Sequence, residues 1–228
     1  MQRELKTPSA KKIEKQLIKH NDVRIDDYYW LNERENPEVI AFLEQENAYY
    51  EAMTAHTKEL KDSLFTEMKS RIKEDDSSVP YKFNGYWYAT RYEVGKEYPI
   101  FTRRFEKEDA EEEIMFNCNH MAEGLDYFNL GGLSISPNNE LAAFGVDTVS
   151  RRQYTLQIKN LHTQEIYGDK IENTTGSAVW ANDNKTLFYT KKDPVTLRSN
   201  NIYRHILGTS PEEDELVFHE DDETFTTF

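Results

Sequence analysis

The serine, histidine and cysteine side chains are the groups of this sequence that would perform nucleophilic or acid–base chemistry. The stretch nearest to a nucleophilic G-x-S-x-G turn is Gly132-Leu133-Ser134-Ile135-Ser136, which lacks the closing glycine. It lies in a segment that we interpret as a β-strand, where no strained turn exposes the hydroxyl. We therefore predict that this chain contains no catalytic residue.

The sequence also predicts no metal site and no cofactor. None of the histidines forms the H-E-x-x-H pair that places two zinc ligands on one helical face. Asn182-Asp183-Asn184 resembles the start of a calcium loop, but the following residues do not supply its glycine and glutamate. A glycine-rich phosphate loop is also missing from the sequence. The histidines are His20, His56, His120, His162, His205 and His219.

The remaining residues of chemical interest have simpler interpretations. Cys118 is the only cysteine, which excludes an intramolecular disulfide, and we interpret it as a small, partly buried residue. We interpret His20 as a hydrogen-bonded structural residue. Trp30, Trp87 and Trp180 would suit a stacking surface, but large aromatic residues at strand positions more often pack a sheet.

Composition and charge exclude some classes of protein. The formal net charge of −14 argues against a nucleic-acid-binding protein, because phosphate recognition needs clustered lysine and arginine residues. The 14 tyrosines and 12 phenylalanines indicate a folded chain. Residues 1–25 carry charges at short intervals and contain no continuous apolar segment. We therefore expect no signal peptide, no membrane association and a cytoplasmic location.

Residues 1–75 are predicted to form a helical arm. Asn36-Pro37-Glu38 is a typical helix start, and helical character continues to about Lys73, with a break near Thr57. The polar residues before Pro80 end the helix, which places a domain boundary there. One helical face is apolar and must be covered by another surface; it contains Ile40, Leu43, Tyr50, Met53, Leu60, Leu64, Met68 and Ile72.

Residues 76–228 are predicted to form β-structure. Asn84-Gly85 is a strong hairpin signal between strands at Tyr81–Phe83 and Tyr86–Tyr92. A second turn at Gly95-Lys96 leads to a third strand at Tyr98–Phe105. The following segment, Glu106–Glu113, is almost wholly charged, so we predict an exposed loop or hairpin tip.

A repeat indicates the architecture of this β-structure. Ile135-Ser136-Pro137-Asn138-Asn139-Glu140 and Trp180-Ala181-Asn182-Asp183-Asn184-Lys185 each place an apolar residue, a polar turn and a strand in order, about 46 residues apart. The first meander fits the same scheme at about 55 residues. Such a period is typical of four-stranded propeller blades, which we favour over a β-sandwich. The sequence holds about three blades, too few to close a ring.

Several segments resemble the prolyl oligopeptidase family of serine peptidases. His20–Leu31 is similar to the family's H-G-D-x-R-x-D-D-Y-x-W-L signature, with Asn21 where glycine is usual. The segments EQENAY at 44–49, EMKSRI at 67–72 and DSSVPY at 76–81 resemble the oligopeptidase B branch. Arg151-Arg152 also resembles that branch, with Ser150 in place of its usual glycine.

The resemblance implies an α+β fragment: a helical arm and the first blades of an incomplete seven-bladed β-propeller, without the α/β-hydrolase domain. It also implies a hydrolase that cleaves short peptides after Arg or Lys, with the propeller limiting access to small peptides. The catalytic triad of the family lies beyond the propeller, so we expect this chain to be inactive alone. Its expected partners are the hydrolase domain, on which the arm would pack, and basic peptides. A stand-alone peptide- or protein-binding module without catalysis is the alternative.

Overall fold

In the computed structural model, which describes residues 6–228, the chain begins with a hairpin and two helices that form one unit, ending at Lys73. At the hairpin turn, His20 and Asn21 have φ values of 53° and 62°. Asparagine tolerates this left-handed conformation, which explains how Asn21 replaces the usual glycine. The elements are β1 (Lys15–Lys19), β2 (Asp22–Asp26), α1 (Pro37–Thr54) and α2 (Lys58–Ser70).

The predicted helix start and helix break are both confirmed. The side chain of Asn36 accepts a hydrogen bond from the Glu38 amide, and Pro37 is the first helical residue. A short 3-10 turn at Ala55–Thr57 separates α1 from α2. Within the part of the chain described, no helix is both long and apolar enough to cross a bilayer.

The second unit begins at Glu74 and opens with one antiparallel, four-stranded blade. The predicted Asn84-Gly85 hairpin is confirmed, because both residues have positive φ, 44° and 85°. The connection after this blade contains a short helix. The elements are β3 (Tyr81–Phe83), β4 (Tyr86–Arg91), β5 (Ile100–Phe105), β6 (Glu113–Asn117) and α3 (Cys118–Met121).

The remaining strands form two further blades that share one long strand, β10 (Ile166–Trp180). Residues 166–174 of β10 pair with the preceding strand, β9 (Tyr154–Asn160). The following strand, β11 (Thr186–Lys192), pairs mainly with residues 178–180 of β10. Gly176, with φ of 88°, lies at the break in register. The strands, in sheet order, are β7 (Asn129–Ile135), β8 (Leu141–Asp147), β9 (Tyr154–Asn160), β10 (Ile166–Trp180), β11 (Thr186–Lys192), β12 (Ser199–Ile206) and β13 (Glu215–His219).

The predicted fold class is therefore confirmed: three antiparallel blades follow a helical arm, and the described strands form no closed sheet. The core divides between the two blade junctions. Phe116 of the first blade contacts Phe144 of the second, with ring centroids 4.7 Å apart. Leu156 and Leu187 are fully buried between the second and third blades.

Residues 106–112 join β5 to β6, which confirms the predicted hairpin connection at Glu106–Glu113. The predicted exposure is wrong at the carboxyl end, because Glu112 and Glu113 are half-buried and form ion pairs. Both carboxylate oxygens of Glu113 accept from Arg103, which is fully buried in β5. Arg103 Nη1 also donates to the Asn139 carbonyl at 2.7 Å, so this ion pair connects the first blade to the second.

We expect Ser150→Gly to stabilise the protein. Ser150 has φ of 61°, a left-handed conformation that strains a residue with a Cβ and that glycine adopts freely. Urea unfolding should show a gain of about 1 kcal/mol. The matched change Ser177→Gly, in β10 and outside the left-handed region, should have the opposite sign. A loss of stability at both positions would contradict this interpretation.

Candidate functional site at the inner strands

The serines of the candidate nucleophile stretch lie in or beside a strand. Ser134 is in β7 and pairs with Ala143, which confirms the interpretation of this stretch as sheet. Ser136 Oγ donates to Asn138 Oδ1 and accepts from the Leu141 amide. Both contacts bind Ser136 into the turn that follows β7, so it has a local structural role.

Cys118 and Asp183 have shifted pKa values with structural causes. Cys118 is buried at the start of α3, and burial raises the pKa of its thiol to about 12. The Thr186 hydroxyl, followed by the Lys185 and Thr186 amides, donates to Asp183 and lowers its pKa to about 2. Asn182–Asn184 is therefore a turn between two strands. Across residues 6–228, no cluster of His, Cys, Asp and Glu side chains would hold a metal ion.

The three tryptophans contribute to packing and backbone hydrogen bonding. Trp30 is buried and donates to the Lys11 carbonyl at 2.9 Å, and Trp180 is buried and donates to the Ser134 carbonyl at 3.1 Å. Trp87 donates to the Glu106 carbonyl. These contacts support the packing interpretation over an exposed stacking surface.

A buried histidine network lies between the second and third blades. His205 in β12 is fully buried; its Nε2 is 3.0 Å from Asp169 Oδ1 and its Nδ1 is 2.7 Å from Asp214 Oδ1. Asp214 also accepts from the Tyr189 hydroxyl, and Asp169 from the Gly208 amide. The network joins β10, β11, β12 and the residue before β13.

The two carboxyl groups hold the imidazole ring of His205 from both sides, with one ring nitrogen directed at each of them. Burial, followed by the hydrogen bond to Asp214, raises the pKa of Tyr189. Sequence reasoning missed this network, because Asp169 precedes His205 by 36 residues without any motif.

Asparagines connect the turns at one end of the three blades. Asn84 and Asn139 exchange hydrogen bonds: the side-chain Nδ2 of Asn84 donates to Asn139 Oδ1, and the side-chain Nδ2 of Asn139 donates to the backbone carbonyl of Asn84. Asn184 Oδ1 accepts from the backbone N–H of Asn138 at 2.8 Å. These pairs are 55 and 46 residues apart. The repeat predicted from sequence thus corresponds to contacts between equivalent turns.

Beside these turns lies the inner-strand cleft, a cavity of about 700 Å³ between the inner strands of the blades. Its walls include Tyr81 and Phe83 from β3 and Leu133 from β7, and Val179 and Trp180 from β10 also line it. All of its lining side chains are uncharged. A cavity of this size and polarity suits an apolar or aromatic ligand.

Tyr88 lies beside the inner-strand cleft. Its side chain is 5% exposed, and its hydroxyl is inaccessible to solvent. Burial raises the pKa of this phenol, while the positive charge and hydrogen-bonding capacity of Arg103 act in the opposite direction. The hydroxyl therefore lies next to the buried Arg103 side chain and away from solvent.

Comparison with known proteins identifies similar sequences. A family model described as the N-terminal β-propeller domain of prolyl oligopeptidase matches residues 8–228. Dipeptidyl aminopeptidase BI of Pseudoxanthomonas mexicana is 41% identical over 223 residues, covering 90% of this chain and 31% of that protein. Protease 2 of Moraxella lacunata is 35% identical over 231 residues, covering 98% of this chain and 33% of that protein.

Solved structures give the same result. Oligopeptidase B from Leishmania major matches with a TM-score of 0.89 at 32% identity, over 98% of this chain and 34% of that one. Oligopeptidase B from Trypanosoma brucei, with covalently bound antipain, matches with a TM-score of 0.84 at 29% identity, over 97% of this chain and 33% of that one. The chain thus spans about a third of the length of these proteins.

Proposed function

Because this chain belongs to the prolyl oligopeptidase family, we propose that it forms the arm and propeller part of an oligopeptidase B-like serine endopeptidase. The substrates would be short peptides, cleaved after Arg or Lys. The main support is the structural match to oligopeptidase B from Leishmania major, which covers 98% of this chain. The relatives by sequence are peptidases as well.

In this proposal, catalysis belongs to the remaining two thirds of such an enzyme. The match covers 34% of oligopeptidase B from Leishmania major. Ser134 and Ser136 lie in or beside β7, and neither occupies a strand-to-helix turn. We infer that the chain alone does not hydrolyse peptides, and that the blades restrict access to the active site to short, extended substrates.

The exposed face of the helical arm supports a docking role. Leu60, Leu64 and Met68 in α2 are 60%, 45% and 61% exposed. Burying such side chains stabilises an interface by roughly 1.5–3 kcal/mol each. We propose that this face packs on the hydrolase domain, as the family resemblance implies.

Peptide cleavage by a reconstituted enzyme tests this function. The chain would be produced alone and together with a separately encoded oligopeptidase B hydrolase domain, and assayed on fluorogenic peptides ending in Arg, Lys or Pro. We expect no cleavage by the chain alone and cleavage after Arg and Lys by the pair. Cleavage by the chain alone, or preferential cleavage after Pro, would refute the proposal.

Two charge variants test whether the reconstituted enzyme assembles through the apolar face of α2. Leu64→Glu places a carboxylate on the apolar face of α2 and should reduce co-purification of the hydrolase domain at least about tenfold. Ser63→Glu adds the same charge at the neighbouring position and should leave co-purification unchanged. Equal effects of the two variants would contradict docking through the apolar face.

The alternative, a stand-alone binding module, requires blades whose apolar side chains are covered. In the third blade, Val179, Leu216 and Phe218 are 67%, 49% and 46% exposed. Apolar exposure of this kind is typical of an interaction surface. This observation favours a larger assembly over an independent module.

A further inference from the structure

We propose that the loop between β8 and β9, residues 148–153, binds the C-terminal carboxylate of a short peptide together with the end of β11, through the side chains of Arg151, Arg152 and Lys192. This inference deepens the proposed function, on which it rests, because it assigns one end of the peptide substrate to a site in the blades. The group recognised is the main-chain carboxylate, so the site is separate from recognition of the Arg or Lys at the cleavage point.

A buried carboxylate shapes the β8–β9 loop. Asp147, the last residue of β8, is 1% exposed. Its Oδ1 accepts from the Val149 backbone N–H at 2.9 Å, and its Oδ2 accepts from the Arg152 backbone N–H at 2.7 Å. The side chains of Arg151 and Arg152 are exposed, and within residues 6–228 neither forms an ion pair. The loop therefore presents two adjacent guanidinium groups that are available to a ligand.

The backbone of this loop is held in an unfavourable conformation. Ser150 and Arg152 have φ values of 61° and 55°, in the left-handed region that residues with a Cβ adopt at a cost. Residues held in this region concentrate at functional sites, where surrounding contacts keep them in place. The hydrogen bonds to Asp147 supply such contacts here. The loop thus gives up some stability while it presents consecutive arginines.

Lys192 adds a third positive charge from the neighbouring blade. Its Nζ donates to the Arg152 carbonyl at 2.6 Å, and an ammonium group has three donors, so this contact leaves donors for a ligand. Burial lowers the pKa of Lys192 and the positive charge of Arg152 lowers it further, while Asp147 acts in the opposite direction. A bound anion would relieve the repulsion between the two cations.

The charge and shape of the cluster indicate the ligand. The formal net charge of the chain is −14, so an exposed group of cations without ion pairs stands out from its surroundings. The acidic side chains nearest to it in sequence are Asp147 and Asp193, and Asp193 Oδ1 accepts from the Val195 and Thr196 backbone N–H groups. A guanidinium binds a carboxylate through two parallel hydrogen bonds, and an ammonium adds a point charge. The free carboxyl end of a peptide matches both.

Calorimetric titration of this chain with two forms of one peptide tests the proposal. The peptide is N-acetylated Gly-Gly-Ala-Gly, with a free C-terminal carboxylate or a C-terminal amide. We expect the carboxylate form to bind at least about fivefold more tightly at low ionic strength, because the amide cannot form charge-assisted hydrogen bonds to the cations. In about 1 M salt, where the screening length is about 3 Å, the difference should shrink. Equal affinity of the two forms at low ionic strength would overturn the proposal.

Charge-removing variants locate the site. Arg152→Gln and Arg151→Gln should each reduce the preference for the carboxylate form to less than about twofold, with unchanged circular dichroism because both side chains are exposed. Lys185→Gln is the matched control, since it removes the same charge just before Thr186, the first residue of β11 and the opposite end from Lys192. It should leave the preference unchanged. Equal losses in the arginine variants and the control would mean that only overall charge matters, which would overturn the proposal.

Inorganic phosphate distinguishes a peptide site from a phosphate site. As a competing anion, it should weaken binding of the carboxylate form and leave binding of the amide form unchanged. Binding of phosphate without any preference between the two peptide forms would assign the cations to a phosphate ligand and overturn the proposal. These measurements require no hydrolysis, so failure of carboxylate binding and failure of the proposed cleavage after Arg or Lys are separate results.

Discussion

Gly132→Ala should destabilise the protein by about 4 kcal/mol or more, or prevent folding. A Cβ at this position would lie 1.9 Å from the Gly176 carbonyl oxygen and 2.6 Å from Ser177 Cα. The obstructing atoms are backbone, so no side-chain rotation relieves the clash. Gly132 also has φ of 64°, which penalises any residue with a Cβ. Urea unfolding followed by circular dichroism would measure the loss.

Gly168→Ala is the matched control for this prediction. Gly168 lies in β10, the strand that Gly132 of β7 approaches, but a Cβ at Gly168 would meet no atom within 4 Å. We expect a change within about 0.5 kcal/mol. If both alanine variants were equally stable, the close approach of β7 and β10 would not exist in solution.

His205→Gln should reduce the free energy of unfolding by about 2–4 kcal/mol. The imidazole ring of His205 lies between the two buried carboxyl groups of Asp169 and Asp214 and contacts one with each nitrogen. A glutamine side chain does not reproduce both ring contacts, so a buried carboxyl group would lose its hydrogen-bond partner. Chemical denaturation at neutral pH is the appropriate measurement.

His219→Gln provides the control for the buried histidine network. The side chain of His219 is 43% exposed, and its ring contacts Asn201 and Asp221 at the surface. Its replacement should change stability by less than about 1 kcal/mol. A loss at His205 no larger than the loss at His219 would show that the buried network contributes little.

The predictions for Gly132 and His205 both concern contacts of the long strand β10, which connects the second and third blades. Gly132 and Gly176 allow the backbones of β7 and β10 to meet, and His205 connects β12 to Asp169 in β10. The long strand β10 belongs to two blades, so both contacts stabilise their relative arrangement.

Much of the fold follows from local sequence patterns. The turn at Asn84-Gly85, the cap at Asn36 and the break near Thr57 depend on residues within a few positions of each other. Their conformational preferences act before any long-range contact forms, so they are visible in the sequence. The recurrence of the polar turn likewise indicated the blades, because each repeat is one structural unit.

Other features are defined only by the tertiary structure. The pairing of Glu113 with Arg103 was missed, because a run of charged residues gives no sign of which members a buried arginine will contact. The partners of His205 and the burial of Tyr88 depend on how separate blades pack. Side-chain chemistry determined which groups are able to ionise or donate, and blade packing decided which of them meet away from water.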